Sequence, residues 1–242
     1  MFSVVFEVHP KPEQWDAYLG HAKMLRPELE QVDGFVDNIR YKSLTREGWI
    51  LSLSGWRDEK SVVRWRTKMR HHEVQEKGRG EILSDYHLRV GQVTADTRIP
   101  PGHLLQEQRL DETEVGEGTT LTLLDAKAPA SSKDFPEAKQ PSTTKLSPQE
   151  SARYLGLPMQ AEGMLAWDVF DAVLTPGDLL LLISWKSARF AQELEKTVQM
   201  PSDGRWRRVR VVRDYGMFDR REAPQFYPDV LRATANASRR PR

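Results

Sequence analysis

The sequence predicts an α+β protein made of two ferredoxin-like units, each an antiparallel sheet with helices on one face. Two observations carry this prediction. The first is an internal repeat, in which several residues of the 242-residue chain recur at one common offset in sequence. The offset pairs Gly34 with Gly163, Gly48 with Gly177, Trp56 with Trp185, Arg57 with Lys186, and Asp85-Tyr86 with Asp214-Tyr215. The second is the order of apolar periodicity within each copy, which is strand, helix, strand, strand, helix, strand.

Copy one begins with alternating apolar residues over 2–8, which predict a half-buried strand. Apolar residues at helical spacing over 13–34 predict a helix, in which Pro27 marks a kink or a boundary. Residues 35–42 and 49–56 alternate on either side of a turn that contains Gly48, and they predict a hairpin. A second helix is predicted over 58–77 and a last strand over 82–93.

Copy two repeats this order. Strands are predicted over 119–126 and 207–217, helices over 147–160 and from Ser187, and a hairpin around Thr175-Pro176-Gly177. One segment has no counterpart in copy one. Residues 127–145 are rich in Pro, Ser, Thr and Lys and show no periodicity, which predicts an inserted loop.

The predicted domain organisation follows from these elements. The first unit covers residues 1–95 and the second covers 118–219. An acidic segment, 96–117, is predicted to be a solvated linker, and the arginine-rich tail 220–242 is predicted to be flexible. Two interpretations of these oppositely charged segments stay open: they touch each other, or each is solvated with no mutual role.

Composition excludes several classes of function. Lys and Arg number 36 against 35 Asp and Glu, so the formal charge of +1 attracts neither nucleic acid nor a membrane surface. The chain has no cysteine, which excludes disulfides, thiolate metal sites and thiol nucleophiles. It also lacks an apolar run of about 20 residues and the features of a secretory signal, so we expect a cytoplasmic protein without membrane or nucleic-acid partners.

Copy one carries a distinctive set of residues: Leu25-Arg26-Pro27-Glu28-Leu29-Glu30, Asp33-Gly34-Phe35, the run over 51–59, Trp65-Arg66, His71-His72, Gln75, Gly78-Arg79 and the run over 85–90. In these residues copy one resembles the antibiotic biosynthesis monooxygenase family. Copy two is similar to a degenerate member. The resemblance implies that the two units pair as a dimeric α/β barrel within one chain, with further self-association left open.

The same resemblance implies an oxidoreductase that acts on a small molecule. The first hypothesis is a monooxygenase that needs no cofactor and takes an aromatic or polyketide-like substrate. A heme-binding or heme-degrading protein is the alternative, although heme-degrading members carry a ligand histidine about ten residues after a comparable tryptophan, where this chain has Gln75, a poor ligand. A third hypothesis is a pseudo-dimer that binds a small ligand without catalysis.

Candidate site residues follow from strand alternation. If Phe2 to Val8 present their apolar positions to the helices, Glu7 faces the opposite sheet, and the other polar strand residues are expected on the same inner face. The predicted catalytic residues are His87 and Glu7, either of which would act as base, and the predicted substrate-binding residues are Asn38, Arg40, Ser52, Trp56 and Arg89. The alternative is a polar sheet interface held by ion pairs such as Glu7 with Arg40.

Two further expectations concern location. His71 and His72 are adjacent on a helix, where side chains point about 100° apart, so both cannot face one site, and a structural role is favoured. The strands of copy two offer apolar residues, Leu165, Val169, Leu180 and Leu182, where copy one is polar. Any ligand site is therefore expected mainly in copy one.

Overall fold

The computed structural model describes residues 1–129, 146–158, 160–227 and 230. Its strands are β1 (Phe2–Pro10), β2 (Phe35–Ser43), β3 (Ile50–Trp56), β4 (Leu83–Asp96), β5 (Thr120–Lys127), β6 (Met164–Ala172), β7 (Asp178–Trp185) and β8 (Arg205–Gly216). In the described part of the chain these strands close into one barrel in the order β1-β3-β2-β6-β7-β5-β8-β4. The predicted pairing of two ferredoxin-like units within one chain is confirmed.

The helices pack on the outside of the barrel. They are α1 (Trp15–Glu30), α2 (Glu59–Arg66), α3 (Met69–Lys77), α4 (Pro148–Tyr154) and α5 (Ala188–Thr197). The single helix predicted over 58–77 is wrong, because Lys68 has an extended backbone that separates α2 from α3. The helix predicted over 147–160 ends early, since Gly156 takes a left-handed φ of 98° shortly after Tyr154. No helix in the described ranges is long and apolar enough to cross a membrane.

The linker and the beginning of the tail touch each other. The Glu222 carboxylate accepts hydrogen bonds from Thr113 Oγ1 at 2.7 Å and from the Glu114 N–H at 2.8 Å, and Thr113 is buried. This contact does not arise from opposite charges, because Glu222 is itself an acid of the tail. The expectation of a fully solvated linker is wrong at this point. Most of the predicted loop 127–145, and the tail beyond 227 apart from residue 230, lie outside the described residues.

Aliphatic side chains from both copies pack together inside the barrel. The buried cluster includes Val5, Leu51 and Leu53 of copy one with Leu123, Leu180, Leu182 and Val209 of copy two. The expectation that the barrel interior forms a polar small-molecule pocket is therefore wrong. Burial of these inner faces explains why the two units stay together, since each alone would expose an apolar sheet face.

A buried ion-pair network crosses the same interior. Glu7 of β1 binds Arg89 of β4 and Arg46 of the β2–β3 turn, and Arg46 Nη2 lies 2.6 Å from the Asp168 carboxylate of β6. Arg89 Nη1 also donates to Ser184 Oγ of β7 at 2.7 Å. Burial alone would raise the pKa of the Glu7 carboxyl, but the two guanidinium groups lower it below its ordinary value. The network thus joins the two copies electrostatically.

We expect Glu7→Gln to destabilise the protein by about 3–5 kcal/mol at neutral pH, because it leaves the buried Arg89 guanidinium without a counter-charge, whereas Arg46 keeps Asp168. A lowered folded-state pKa means that Glu7 contributes stability above its ordinary value of 4.5, and that this contribution is lost as the pH falls through the folded-state pKa. Urea unfolding of both proteins should therefore show a stability difference that shrinks below pH 4.5. Glu30→Gln, which removes an exposed pair with Arg26, should change stability by less than about 1 kcal/mol.

Trp185→Ala should cost about 3–5 kcal/mol of unfolding free energy, because the side chain is fully buried and leaves a cavity. The substitution also removes the hydrogen bond from Trp185 Nε1 to Thr122 Oγ1, which is 2.8 Å long. Leu174→Ala is the matched control, since Leu174 is exposed. Equal melting temperatures for the two variants would contradict the assignment of Trp185 to the core.

Candidate functional site

A cavity of about 210 Å³ lies between the sheet of copy one and helices α1 to α3. It is on the outer face of the sheet, away from the barrel interior. Most of its wall belongs to copy one, but β8 and the segment that follows it supply Tyr215, Arg220, Gln225 and Tyr227. The cavity therefore lies mainly in copy one, and β8 together with the beginning of the tail completes it.

Strand register arranges the sheet side of the cavity in rows. Residues paired directly across neighbouring strands point to the same face. The central row runs across β2, β3, β1, β4 and β8 and consists of Arg40, Ser52, Phe6, Leu88 and Tyr215. Neighbouring strands are about 4.8 Å apart, so four such spacings separate the ends of the row. The row is polar at both ends and apolar in the middle.

Tyr18, Asn38, Arg40 and Ser52 form one end, which we call the Arg40 end. Asn38 Nδ2 donates to Ser52 Oγ at 2.9 Å and to the Leu53 carbonyl at 3.2 Å. The Arg40 Nε atom is buried and has no hydrogen-bond partner among the described residues, although its guanidinium interacts with the Tyr18 hydroxyl. Burial raises the pKa of Tyr18 despite that neighbouring charge. The Arg40 guanidinium and the hydroxyls of Tyr18 and Ser52 can donate hydrogen bonds to an oxygen atom of a ligand, whereas both Nδ2 hydrogens of Asn38 are already donated within the protein.

Arg66, Arg79, Tyr86, Tyr215 and Arg220 form the other end, which we call the Arg220 end. The Tyr86 hydroxyl accepts from Arg79 Nη1 at 2.6 Å and from Arg220 Nη1 at 2.5 Å. Burial raises the pKa of Tyr215 to about 12, so its hydroxyl is neutral at physiological pH. This end concentrates guanidinium groups around neutral hydroxyls.

His71 lines the cavity from α3. Its ring stacks on Trp65 with centroids 4.2 Å apart, and Nδ1 lies 3.1 Å from the Trp65 carbonyl oxygen. A carbonyl can only accept, so Nδ1 carries the proton and Nε2 is the basic nitrogen. Burial lowers the pKa of His71 to about 4, which keeps the imidazole neutral. His72 makes a different contact, because its Nδ1 lies 2.9 Å from the Tyr227 hydroxyl.

The cavity wall carries an excess of positive charge. Five arginines line it, namely Arg26, Arg40, Arg66, Arg79 and Arg220, and the described lining contains no Asp or Glu. Apolar side chains such as Val4, Phe6 and Trp56 form the middle of the wall. A small apolar molecule that carries a negative charge matches this lining.

The structure brings four of the predicted site residues together and separates the other three. Asn38, Arg40, Ser52 and Trp56 line the cavity, and Trp56 is buried with Nε1 donating to Ser54 Oγ at 2.9 Å. The remaining three, Glu7, His87 and Arg89, do not line it.

The expectation that all seven residues share one face is wrong. Ser52 pairs with Phe6, so it shares a face with Phe6 and lies opposite to Glu7. The alternative ion pair of Glu7 with Arg40 is also wrong, because Glu7 pairs with Arg89 and Arg46.

His87 lies at the seam between β4 and β8, where Nε2 is 2.6 Å from Asp214 Oδ1. The catalytic roles assigned to His87 and Glu7 from the sequence stay predictions, and the cavity geometry favours a different base.

Sequence reasoning missed several lining residues. The sequence favours a structural role for His71, so it is not among the predicted site residues, although it follows Trp65 on a predicted helix. No local signal could have found Arg220 or Tyr227, because they reach the cavity only when the chain after β8 returns to copy one.

The cavity does not fit heme. Its volume of about 210 Å³ lies below the range of about 300–1,000 Å³ for pockets of drug-sized ligands. Gln75, at the position of the expected ligand, accepts a hydrogen bond from the Tyr227 hydroxyl at 3.0 Å. One face of His71 is covered by Trp65. The described residues also contain no cluster of three or more His, Asp or Glu that could hold a metal ion.

Comparisons with known proteins extend this description. The family model for antibiotic biosynthesis monooxygenase matches residues 1–77. A jasmonate monooxygenase from Pyricularia oryzae is 48% identical over 232 residues, which is 94% of this chain and 99% of that protein. A solved aldoxime dehydratase, 11% identical, covers 87% of this chain and 80% of that chain at a TM-score of 0.51, a similarity of fold alone. A solved antibiotic biosynthesis monooxygenase, 14% identical, covers 37% of this chain and 95% of that chain at a TM-score of 0.34.

The jasmonate monooxygenase matches almost the whole chain at close to one identical residue in two. The family model independently matches the copy that holds the cavity. The chain therefore belongs to the antibiotic biosynthesis monooxygenase family.

Proposed function

We propose that this chain is a monooxygenase whose substrate is a small apolar carboxylic acid of the jasmonate type. The observation that carries the proposal is the cavity lining, in which arginines surround an apolar middle and the described wall has no carboxylate. Jasmonate, a cyclopentanone that bears a carboxylate and a short unsaturated chain, has this combination of charge and apolar surface. The relative named for jasmonate supports the same substrate class.

The aromatic or polyketide-like substrate implied by the sequence resemblance stays a prediction. Such a molecule would stack on Trp65 or Trp56, but the cavity has more cationic groups than a neutral aromatic needs. A carboxylate can form ion pairs with these arginines. The acid is therefore the substrate class that the geometry supports best.

The proposed chemistry begins with proton transfer to His71. A substrate carbon beside a carbonyl group has an acidified C–H bond, and Nε2 of the neutral imidazole accepts this proton. Negative charge then develops on the carbonyl oxygen. Arg40 and the Ser52 hydroxyl stabilise that charge by donating hydrogen bonds, provided that the carbonyl lies at the Arg40 end, and Asn38 holds Ser52 in place.

Oxygen can react with this carbanion without an external electron donor. The carbanion gives one electron to O2, and the resulting radical pair combines to a substrate hydroperoxide anion. The protonated His71 returns its proton, and the hydroperoxide loses water to form a carbonyl group. A CH2 group and O2 thus become C=O and H2O, so the substrate supplies all the electrons. We propose on this basis that the reaction needs no cofactor.

The reaction is tested by incubating the purified protein with jasmonate and heavy-isotope O2, with no reductant, flavin or added metal. The expected product has gained one labelled oxygen atom and lost two hydrogen atoms. A product that is an alcohol and forms only with a reductant would overturn the cofactor-independent mechanism, because hydroxylation needs two external electrons. The absence of any product would favour the non-catalytic binding hypothesis. Titration with heme should leave the heme spectrum unshifted, because the cavity does not fit heme.

His71→Asn should lower kcat by about a hundredfold or more, because a positioned base contributes about 10²–10⁴-fold. The melting temperature should change by only a few degrees, since one edge of the ring faces a cavity. Steady-state kinetics and thermal unfolding check both expectations. His103→Asn, in the connecting segment, is the matched control and should retain wild-type kcat.

The pH profile gives a separate test of His71. Its lowered pKa means that the imidazole of the free protein is protonated only below about pH 4, so kcat/KM should stay level above that value and fall below it. A bound carboxylate raises the imidazole pKa by charge attraction. The acid limb of kcat should therefore lie at higher pH than the limb of kcat/KM. Coincident limbs would contradict the assignment of His71 as the base.

A further inference from the structure

The Arg220 end includes two arginines, Arg66 and Arg220, whose charges have no ion-pair partner among the described residues. We infer that Arg66 and Arg220 bind the carboxylate of the substrate and make the cavity specific for free acids over neutral esters. This inference rests on the proposed function for the identity of the acid. It also assigns an orientation, since it places the carboxylate at the opposite end of the central row from Arg40.

Arg66, on α2, is the first part of the argument. Its Nε atom is buried and has no hydrogen-bond partner among the described residues, and none of their carboxylates forms an ion pair with it. Glu59 attracts the charge of Arg66 but makes no ion pair with it. The two Glu59 carboxylate oxygens instead bind Arg109 Nη1 at 2.9 and 3.0 Å. A partly buried guanidinium without a counter-charge is unfavourable. A bound anion removes that cost.

Arg220, in the segment after β8, is the second part. Its hydrogen bonds go to neutral acceptors, the Tyr86 hydroxyl at 2.5 Å and the Gln225 carbonyl at 2.8 Å. Its guanidinium also lies over the Tyr227 and Tyr215 rings, with distances to the ring centroids of 5.3 and 5.7 Å. These contacts fix the position of Arg220 and leave its charge without an ion-pair partner among the described residues.

Tyr215 lies near both arginines, because the charges of Arg66 and Arg220 each lower the pKa of its hydroxyl. A tyrosinate there would neutralise them, but burial raises the pKa of Tyr215 to about 12, so the hydroxyl stays protonated. The hydroxyl is then a third hydrogen-bond donor. Two guanidinium groups and one hydroxyl form a set of donors suited to the two oxygens of a carboxylate.

The apolar middle of the row decides the orientation. Phe6 and Leu88 separate Tyr215 from Ser52, so a ligand that fills the cavity must place its hydrocarbon portion there. Its charged group then lies at the Arg220 end, where Arg66 and Arg220 have no ion-pair partner among the described residues. A neutral carbonyl group of the ligand is then directed toward the Arg40 end, which Arg40 and Ser52 line.

The test compares acids with their methyl esters. Calorimetric titration measures the binding of jasmonate and methyl jasmonate, and of a chemically unrelated pair, 4-phenylbutyrate and its methyl ester. The proteins are the wild type, Arg66→Gln, Arg220→Gln, Arg40→Gln and Arg64→Gln. Arg64 lies on the same helix as Arg66 but outside the cavity and pairs with exposed Asp33, so it is the matched control.

We expect wild-type protein to bind each acid at least about tenfold more tightly than its ester, since charged hydrogen bonds have that magnitude. Arg66→Gln and Arg220→Gln should weaken the acids by about tenfold or more and leave the esters nearly unchanged. Arg40→Gln should weaken jasmonate and methyl jasmonate alike, because both carry the ring ketone, and it should leave the 4-phenylbutyrate pair nearly unchanged. Arg64→Gln should weaken no ligand. Arg66→Lys, which keeps the charge but not the planar fork, should restore part of the preference.

The outcomes separate this inference from the proposed function. If both pairs are discriminated but jasmonate is not oxidised, the carboxylate site stands and the proposed reaction fails. If jasmonate is oxidised but acids and esters bind equally, or if both arginine variants weaken acids and esters alike, the carboxylate site is wrong. If wild-type protein binds neither acid, the inference is also wrong. Arg66→Lys provides the decisive comparison if a glutamine variant does not fold.

Discussion

The packing of the two inner sheet faces against each other determines which face of each sheet is left for a cavity. Alternate residues of a strand point to opposite faces, so filling the barrel interior with aliphatic side chains assigns the other residues to the outside. The Glu7 and Arg89 network occupies the same interior and is buried between the two copies. The polar side chains that line the cavity, among them Asn38, Arg40 and Ser52, lie on the other face, under the helices.

The two copies use the same register for different purposes. Arg40 and Ser52 of copy one correspond to Val169 and Leu181 of copy two through the repeat, and in both copies the two residues are directly paired. The row in copy two continues through Leu124 and is apolar, and it packs with Trp185 and the other buried residues under α4 and α5. Copy two therefore stabilises the barrel through a filled interface, whereas the corresponding interface of copy one keeps a cavity.

Much of this architecture could be predicted from the sequence because it depends on local periodicity and on the repeat. The strands and the hairpins follow from those patterns, and the polar strand residues Asn38, Arg40 and Ser52 of copy one line the cavity. The face of the sheet that holds the site could not be predicted, since alternation separates Glu7 from Phe6 without showing which of them meets the helices. Leu180 and Leu182 illustrate the same limit, because they face the barrel interior while Val169 faces the helices. Contacts distant in sequence, such as Arg220 with Tyr86, leave no periodic signal.

Distance in sequence has a physical consequence for the site. The Tyr227 hydroxyl meets His72 across 155 residues, and Arg220 meets Tyr86 across 134. Copy one contains the sheet and the helices around the cavity, but it lacks the wall that β8 and the following segment supply. That wall lies against copy one because β8 pairs with β4. The same strand pairing therefore closes the barrel and completes the cavity. The chain after copy one contributes to the cavity only through β8 and the segment that follows it, among the described residues. Apolar residues can therefore replace polar ones in the other helix-facing rows of copy two without changing the wall of the cavity.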